Sequence, residues 1–340
     1  MQLKILIEMK HGLGDCVCDL PMVCALRQQF PDACLAILVR GEAQETIFRH
    51  SAAAVDRFYP WGIGGWWRRI CLIREIRRER FDYGFLGLVT SPWRDRALFH
   101  LFGVTRCFGE TYQRRWGFPA KYRGSFIDRN LALLEPLAAR AWDDIPHLLP
   151  PQGMRQLWQT GKRRIVINIG GGTGGRRGAA PPKAWPYWPQ LIEMLQREPS
   201  VEIALLGGAS ERSLVGACGD CLCAGNVLDY VGRLSIEESM ALLAEADISL
   251  GVDTGMQHIA AALGTATLTL FGPTSPATCA PRGGEAQTLS HVLSCRPCIG
   301  TRAWYDCPTR ACMRGISVEE VFHSCMDRLE ERGRHHAVMD

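Results

Sequence analysis

Along the whole chain, short runs of apolar residues alternate with segments whose apolar positions recur every three to four residues. That alternation predicts strand-helix-strand units and mostly parallel sheets. In the first half the runs predict strands at Leu3–Glu8, Cys34–Arg40, Val55–Phe58, Asp82–Leu88 and Val104–Phe108. Helices are predicted at Pro21–Phe30 and Trp66–Arg80, the second with Trp66, Ile70, Ile73 and Ile76 as a buried stripe and six arginines around them. A Pro-rich, poorly periodic passage, Asp143–Gln152, reads as a linker dividing residues 1–150 from residues 151–340. The alternation then restarts. Strands are predicted at Arg164–Ile169, Val201–Leu206, Val227–Val231, Ile248–Val252 and Ala266–Phe271, with helices at Trp185–Arg197, Ile236–Ala246 and Met256–Leu263. The expected fold class is α/β, two Rossmann-like domains with parallel sheets facing a central cleft and ligands at the carboxyl ends of the strands. The closing helix, Val318–Arg332, is free in this reading to pack back on the first domain.

Composition narrows the class. With 47% hydrophobic and 22% charged residues the chain is globular. No stretch approaches the roughly 20 apolar residues of a membrane helix. Met1–Glu8 reads as a strand rather than a signal peptide, so a cytoplasmic protein is expected, and its fifteen cysteines are expected as thiols or metal ligands rather than disulfides. The net charge of +4 is uneven: residues 1–150 carry 21 Lys+Arg against 16 Asp+Glu. A basic front half suits an anionic acceptor or a membrane surface, but Arg outnumbers Lys by 34 to 5, which also fits a coding bias. No nucleic-acid-binding module is recognisable, and no nucleic-acid partner is expected.

Three glycine-rich or strand-end turns carry chemistry. Strand Ile248–Val252 runs into Asp253-Thr254-Gly255 and a helix, where free amides and the Thr254 hydroxyl suit a phosphate; capping of that helix by Asp253 or Thr254 is the equal alternative. The turn Gly170-Gly171-Gly172-Thr173-Gly174-Gly175 lets backbone approach a diphosphate, and Arg176, Arg177 or Lys183 can supply the positive charge a departing diphosphate needs. In the first half, His11-Gly12-Leu13-Gly14-Asp15 puts the Asp15 carboxylate at a strand's end, where it either faces a ligand or caps the helix beginning near Leu20.

Taken together, these blocks resemble the heptosyltransferases, glycosyltransferase family 9, over essentially the whole chain. The resemblance rests on Gly14-Asp15 with Leu20-Pro21 and Leu26-Arg27, on Lys183-Ala184-Trp185-Pro186, and on the run Gly232–Pro273. That run contains Asp253-Thr254-Gly255-Met256-Gln257-His258 and ends in Phe271-Gly272-Pro273, with Thr274 following. The resemblance implies a GT-B fold and a metal-independent, inverting transfer, with the acceptor on the first domain and the nucleotide sugar on the second. It implies Asp15 as general base and Lys183, Thr254 and Gly255 as contacts to the donor phosphates, with Asp253 and His258 in the same motif. Gly171, Gly172 and Thr173 fall in the donor loop, which departs from relatives in its run of glycines. Glu211 falls where a carboxylate takes the ribose hydroxyls, and Leu234 where an apolar side chain packs on the base. The implied donor is ADP-heptose and the implied acceptor the lipopolysaccharide inner core, with a protein or small-molecule acceptor also known among relatives. Contact with the cytoplasmic face of the inner membrane fits such an acceptor.

Cys295, Cys298, Cys307 and Cys312 follow in a spacing that four thiolates can use to close a structural zinc or iron site; reduced packing thiols are the alternative. Cys218, Cys221 and Cys223 read as ordinary thiols. No cofactor is expected for catalysis. Two other readings are compatible with the pattern: a two-domain transferase or epimerase using another nucleotide sugar such as a UDP-hexosamine, and a non-catalytic protein binding an anionic glycolipid.

Overall fold

The computed structural model describes residues 2–86, 92–104, 106–109, 124–137, 143–159, 161–171, 182–216, 218–219, 225–299 and 301–339. The chain forms two compact units, Met1–Leu149 and Pro150–Asp340. Each is built on one parallel sheet.

In the first unit the strands are β1 (Lys4–Met9), β2 (Cys34–Val39), β3 (Arg57–Pro60), β4 (Tyr83–Leu86) and β5 (Arg106–Phe108), in the order β3-β2-β1-β4-β5. The helices are α1 (Leu13–Gln29), α2 (Glu42–Arg49), α3 (Trp66–Glu79), α4 (Pro92–Leu101) and α5 (Phe126–Leu131). Strand β2, Cys-Leu-Ala-Ile-Leu-Val, is buried throughout, as a central parallel strand covered on both faces must be. Its neighbour β1 pairs Ile7 with Ile37 on one side and with Phe85 on the other.

Two expectations change here. Helix α1 begins at Leu13, eight residues before Pro21, which lies inside the helix. Proline does favour a first turn, but the carboxylate of Asp15 already closes the N-terminus by accepting from Gly12 N at 3.0 Å, so the helix starts earlier. On α3 the core face is carried by Leu72 and Ile76, while Trp66 is exposed. The apolar positions of that helix outnumber the ones its sheet can cover.

The second unit contains β6 (Arg163–Asn168), β7 (Val201–Leu206), β8 (Val227–Asp229), β9 (Ile248–Val252), β10 (Ala266–Phe271) and β11 (Ala286–Ser290), in the order β11-β10-β9-β6-β7-β8. Its helices are α6 (Trp188–Gln196), α7 (Arg212–Gly216), α8 (Ile236–Ala244), α9 (Gly255–Ala262), α10 (Pro276–Cys279), α11 (Arg302–Asp306), α12 (Ala311–Arg314) and α13 (Val318–Met339). Val321, Cys325 and Leu329 of α13 are buried in this unit's core with Ile192 and Leu250.

In both sheets the chain starts in the middle and leaves first to one side, then to the other. The switch lies between β1 and β4 in the first unit and between β6 and β9 in the second. Crevices at the carboxyl ends of such strand pairs are where open parallel sheets bind ligands.

Candidate active site

The turn after β9 is the most constrained part of the second unit. Lys183 Nζ donates to Asp253 Oδ2 at 2.7 Å and to the Asp253 carbonyl at 2.8 Å. The hydroxyl of Thr274, itself fully buried after β10, donates to the same Oδ2 at 2.7 Å. Asp253, 6% exposed, thereby receives two donors on one carboxylate oxygen, and among the described contacts one of the three ammonium protons of Lys183 remains for a ligand. The segment carrying Lys183 is anchored by Trp185, whose Nε1 donates to the Ile316 carbonyl at 3.1 Å and whose ring meets Trp188 edge-on at 4.8 Å.

Thr254 is the N-cap of α9 in an extended conformation, yet its side chain makes no capping bond. Its Oγ1 is buried and has no hydrogen-bond partner among the described residues. Next to it the first-turn amide of Gly255 belongs to a helix N-terminus, where an anion is stabilised by unpaired N–H groups and the helix dipole. An orphaned hydroxyl, an ammonium and a helix start converging after the switch-point strand form a phosphate-binding geometry. His258 is buried one turn further along α9, within the packing of the motif.

Beneath the turn, Asn168 Nδ2 donates to Ser249 Oγ at 2.9 Å, Gln257 Nε2 donates to the same oxygen at 3.2 Å, and Thr269 Oγ1 donates to Gln257 Oε1 at 3.4 Å. This buried chain ties α9 to β6, β9 and β10. Sequence reasoning missed Asn168, Ser249 and Thr269, whose signal was a polar side chain inside an otherwise apolar strand, while Gln257 and Thr274 were read as part of the motif without a role.

Glu211 sits on a 3-10 turn after β7 and accepts from Gly208 N at 2.8 Å. Its carboxylate lies so close over Gly170 that a Cβ there would be 1.8 Å from Oε1. A side chain at Gly170 would have to displace that carboxylate. Gly232, at φ +68°, packs against Ala209 and donates to the Gly207 carbonyl at 2.8 Å, and the half-buried Leu234 follows two residues later. Gly171 is buried directly after Gly170. Gly172, Thr173, Arg176, Arg177, Cys221 and Cys223 lie outside the described residues.

In the first unit, Asp15 stands in the first turn of α1, partly exposed, after the carboxyl end of β1. It is both a cap and a carboxylate at a switch-point strand. Around it is a charged cluster: His11 Nε2 is 3.1 Å from Glu8 Oε2, and Lys10 Nζ lies 3.4 Å from Glu8 Oε1 and 2.8 Å from Asp95 Oδ1. Burial pushes the Glu8 carboxyl up, but the His11 hydrogen bond and the charges of His11 and Lys10 outweigh it and hold the group below its ordinary value. Burial pushes His11 down, but Glu8, with Asp15 and Asp19 near, raises it overall. Asp19, buried one turn below Asp15, is driven well above the usual carboxylate range by desolvation, with His11 opposing and Asp15 adding to the shift.

The structure brings Cys295, Cys298, Cys307 and Cys312 into one neighbourhood, where their charges act on one another. Among the described residues no three His, Cys, Asp or Glu side chains gather closely enough to form a metal-binding group. Cys312 is buried in the core against the backbone of Gly272, where a Cβ would come within 3.4 Å of its sulfur. Cys307 Sγ accepts from Arg310 N at 3.3 Å, a bond that lowers its thiol below the ordinary value. Burial raises Cys298, with Cys312, Cys307 and Cys295 adding to the shift; burial also raises Cys312, and Cys295 is exposed.

Two units, each on one parallel sheet with its switch point between two central strands, are the architecture of the GT-B class. Comparison with known proteins gives the family. The profile of glycosyltransferase family 9 (heptosyltransferase) matches residues 147–307. Lipopolysaccharide heptosyltransferase 1 of Pseudomonas aeruginosa is 35% identical over 363 aligned positions, covering 96% of this chain and 94% of the relative. The chain belongs to the heptosyltransferase family and is a glycosyltransferase. Its fold is that of E. coli ADP-heptose lps heptosyltransferase II, with a TM-score of 0.75 at 17% identity over 97% of this chain and 100% of that one. The structure of E. coli heptosyltransferase WaaC with ADP matches at a TM-score of 0.66 and 18% identity, covering 96% and 100%. No helix among the described residues is long and apolar enough to cross a membrane.

Proposed function

We propose that the chain transfers a heptose from ADP-heptose to a hydroxyl of the lipopolysaccharide inner core, with inversion at the anomeric carbon. The observation that carries the reading is the turn in which Lys183, held by Asp253 and Thr274, stands with the unpartnered Thr254 hydroxyl at the start of α9. In this reading the second unit holds the donor. Lys183, Thr254 and the Gly255 amide take the diphosphate, Gly171 lets it approach the backbone, Glu211 accepts from the ribose hydroxyls, and Leu234 packs on the base. The bond from the anomeric carbon to the β-phosphate oxygen breaks, and the charge that develops on ADP is stabilised by the ammonium and helix amides without a divalent ion.

The first unit holds the acceptor. Asp15 takes the proton of the attacking hydroxyl as its oxygen bonds to the anomeric carbon. The name of the Pseudomonas relative and the ADP in the WaaC structure support the donor and acceptor assignments. A nucleotide-sugar donor and a lipid-linked acceptor together assign the reaction to the cytoplasmic face of the inner membrane. Thermal unfolding with ADP, UDP and their sugars tests the donor: a ligand that binds only the folded chain raises its midpoint, and ADP-heptose is expected to give the largest rise. A larger rise with a UDP-sugar would replace the reading.

A further inference from the structure

We propose that the tip Ile63–Arg69 and the outward face of α3 dock this chain on an anionic phospholipid bilayer. Trp66 and Trp67 are 62% and 63% exposed and Ile63 is 44% exposed, so three large apolar side chains meet solvent within five residues. The fold does not use them. The core contacts of α3 are made by Leu72 and Ile76, which pack with Tyr59, Phe99 and Phe102. Clustered exposed apolar groups of this kind mark an interaction surface, whereas single ones need no explanation.

The tip is also held in shape. A Cβ on Gly62 would lie 2.2 Å from the Arg40 carbonyl, and Gly64 adopts φ +92°, so both positions need glycine. The turn is fixed by Trp61 N donating to the Val39 carbonyl at 2.8 Å and Gly62 N donating to the Arg40 carbonyl at 3.0 Å. The two indoles stack at 4.0 Å with 27° between their planes, which leaves no gap into which a nucleobase could insert.

Charge selects the occupant. Helical spacing sets Trp67, Arg74 and Arg78 on one face, opposite Leu72 and Ile76, and all three are exposed. Of the two acids on α3, Glu79 is already paired with Lys4 and Arg57, and the exposed Glu75 stands against exposed Arg68, Arg69, Arg74, Arg77 and Arg78, so the outward face is cationic. Tryptophan at headgroup depth together with arginines facing lipid phosphates is the chemistry of a peripheral membrane contact.

The position matters for the reaction. Trp61, which opens the tip after β3, lies with its ring centroid 6.0 Å from Lys10 Nζ and 5.7 Å from the Arg69 guanidinium. Lys10 belongs to the Glu8–His11 cluster in the turn that carries Asp15. Docking through this edge would present the same end of the first sheet to a lipid-borne acceptor.

Flotation of the full chain with vesicles tests this independently of transfer. Binding is expected to vesicles of phosphatidylcholine mixed with phosphatidylglycerol at low salt, and not to phosphatidylcholine alone. Each arginine near an anionic surface is worth about fivefold, so Arg74→Glu with Arg78→Glu should lower partitioning at least about twentyfold. Trp66→Ser with Trp67→Ser should lower it further, with thermal unfolding unchanged because these side chains are exposed. No binding to the anionic vesicles, or binding that both double variants retain, would overturn the proposal. So would sedimentation velocity showing that the tryptophans join two copies of the chain, or binding to a nucleic-acid duplex that matches the vesicles.

Discussion

Lys183 and Asp253 are joined twice, through the side-chain oxygen at 2.7 Å and the backbone carbonyl at 2.8 Å. The second bond fixes the ammonium to the turn itself, so its position does not depend on a flexible carboxylate alone. Lys183→Ala should therefore lower turnover by about 10² to 10³, the cost of removing one charge-stabilising donor from a preorganised site. Activity should survive chelation. Thr274→Val should act through Asp253 with a smaller loss of turnover, accompanied by a stability loss of about 1.5 to 3 kcal/mol for a buried hydrogen bond to a charged group. Steady-state kinetics with and without a chelator check the order, and a strict need for magnesium or manganese would contradict it.

Asp15 combines two jobs that a single comparison separates. As the third residue of the capping box it accepts from Gly12 N, a bond that the amide oxygen of Asn can also accept. As a general base it contributes about 10² to 10⁴ in rate, which Asn cannot supply. Asp15→Asn should thus keep its thermal midpoint and ADP affinity while transfer falls by at least about 10². Transfer within a few-fold of the unaltered chain would leave Asp15 with the cap alone.

The alternation of β2, β7 and β10 with helical segments was legible because fully buried parallel strands write continuous apolar runs. β11, Ala-Gln-Thr-Leu-Ser, was not, since an edge strand that is only half covered needs few apolar residues. Pro21 misplaced the start of α1 because proline favours a first turn, whereas the helix already runs from Leu13 and buries Cys16, Val17 and Leu20 before it. Lys183, Asp253 and Thr254 were readable as a motif, yet the bonds among them were not, because Lys183 and Asp253 are 70 positions apart. Cys295, Cys298, Cys307 and Cys312 were readable as a spacing, whereas the burial of Cys312 and the bond from the Arg310 amide to Cys307 depend on tertiary packing and were not.

Gly170 offers a way to disturb Glu211 without touching it. A Cβ at Gly170 would overlap the Glu211 carboxylate, which can swing aside at little cost to the fold. If that carboxylate holds the ribose, Gly170→Ala and Glu211→Ala should each weaken ADP binding by about tenfold, the worth of a hydrogen bond to a charged group. Calorimetric titration gives the affinities. Unchanged affinity in both variants would remove the ribose role from Glu211.

The Glu8–His11 pair gives stability a pH window. Glu8 is held below its ordinary value of 4.5, so its contribution is present above that value and is lost as pH falls through the lower folded value. His11 is raised above 6.5, so its contribution is complete below 6.5 and is lost as pH rises through the higher folded value. The pair should stabilise most between 4.5 and 6.5. Asp19, raised above its ordinary 3.8, adds a further loss on the alkaline side. Urea midpoints of the unaltered chain and of His11→Ala should converge as pH rises past 6.5. Parallel curves would mean that the imidazole carries no charge in the fold.

The central claim is heptose transfer from ADP-heptose, and the mass of the product tests it most directly. Incubated with ADP-heptose and acceptor glycolipid from a heptose-deficient cell, the chain should release ADP and increase the acceptor's mass by one heptosyl residue, with Asp15→Asn failing to do so. An acceptor of unchanged mass, or one that gains a hexosamine from a UDP-sugar while ADP-heptose stays intact, would contradict the account.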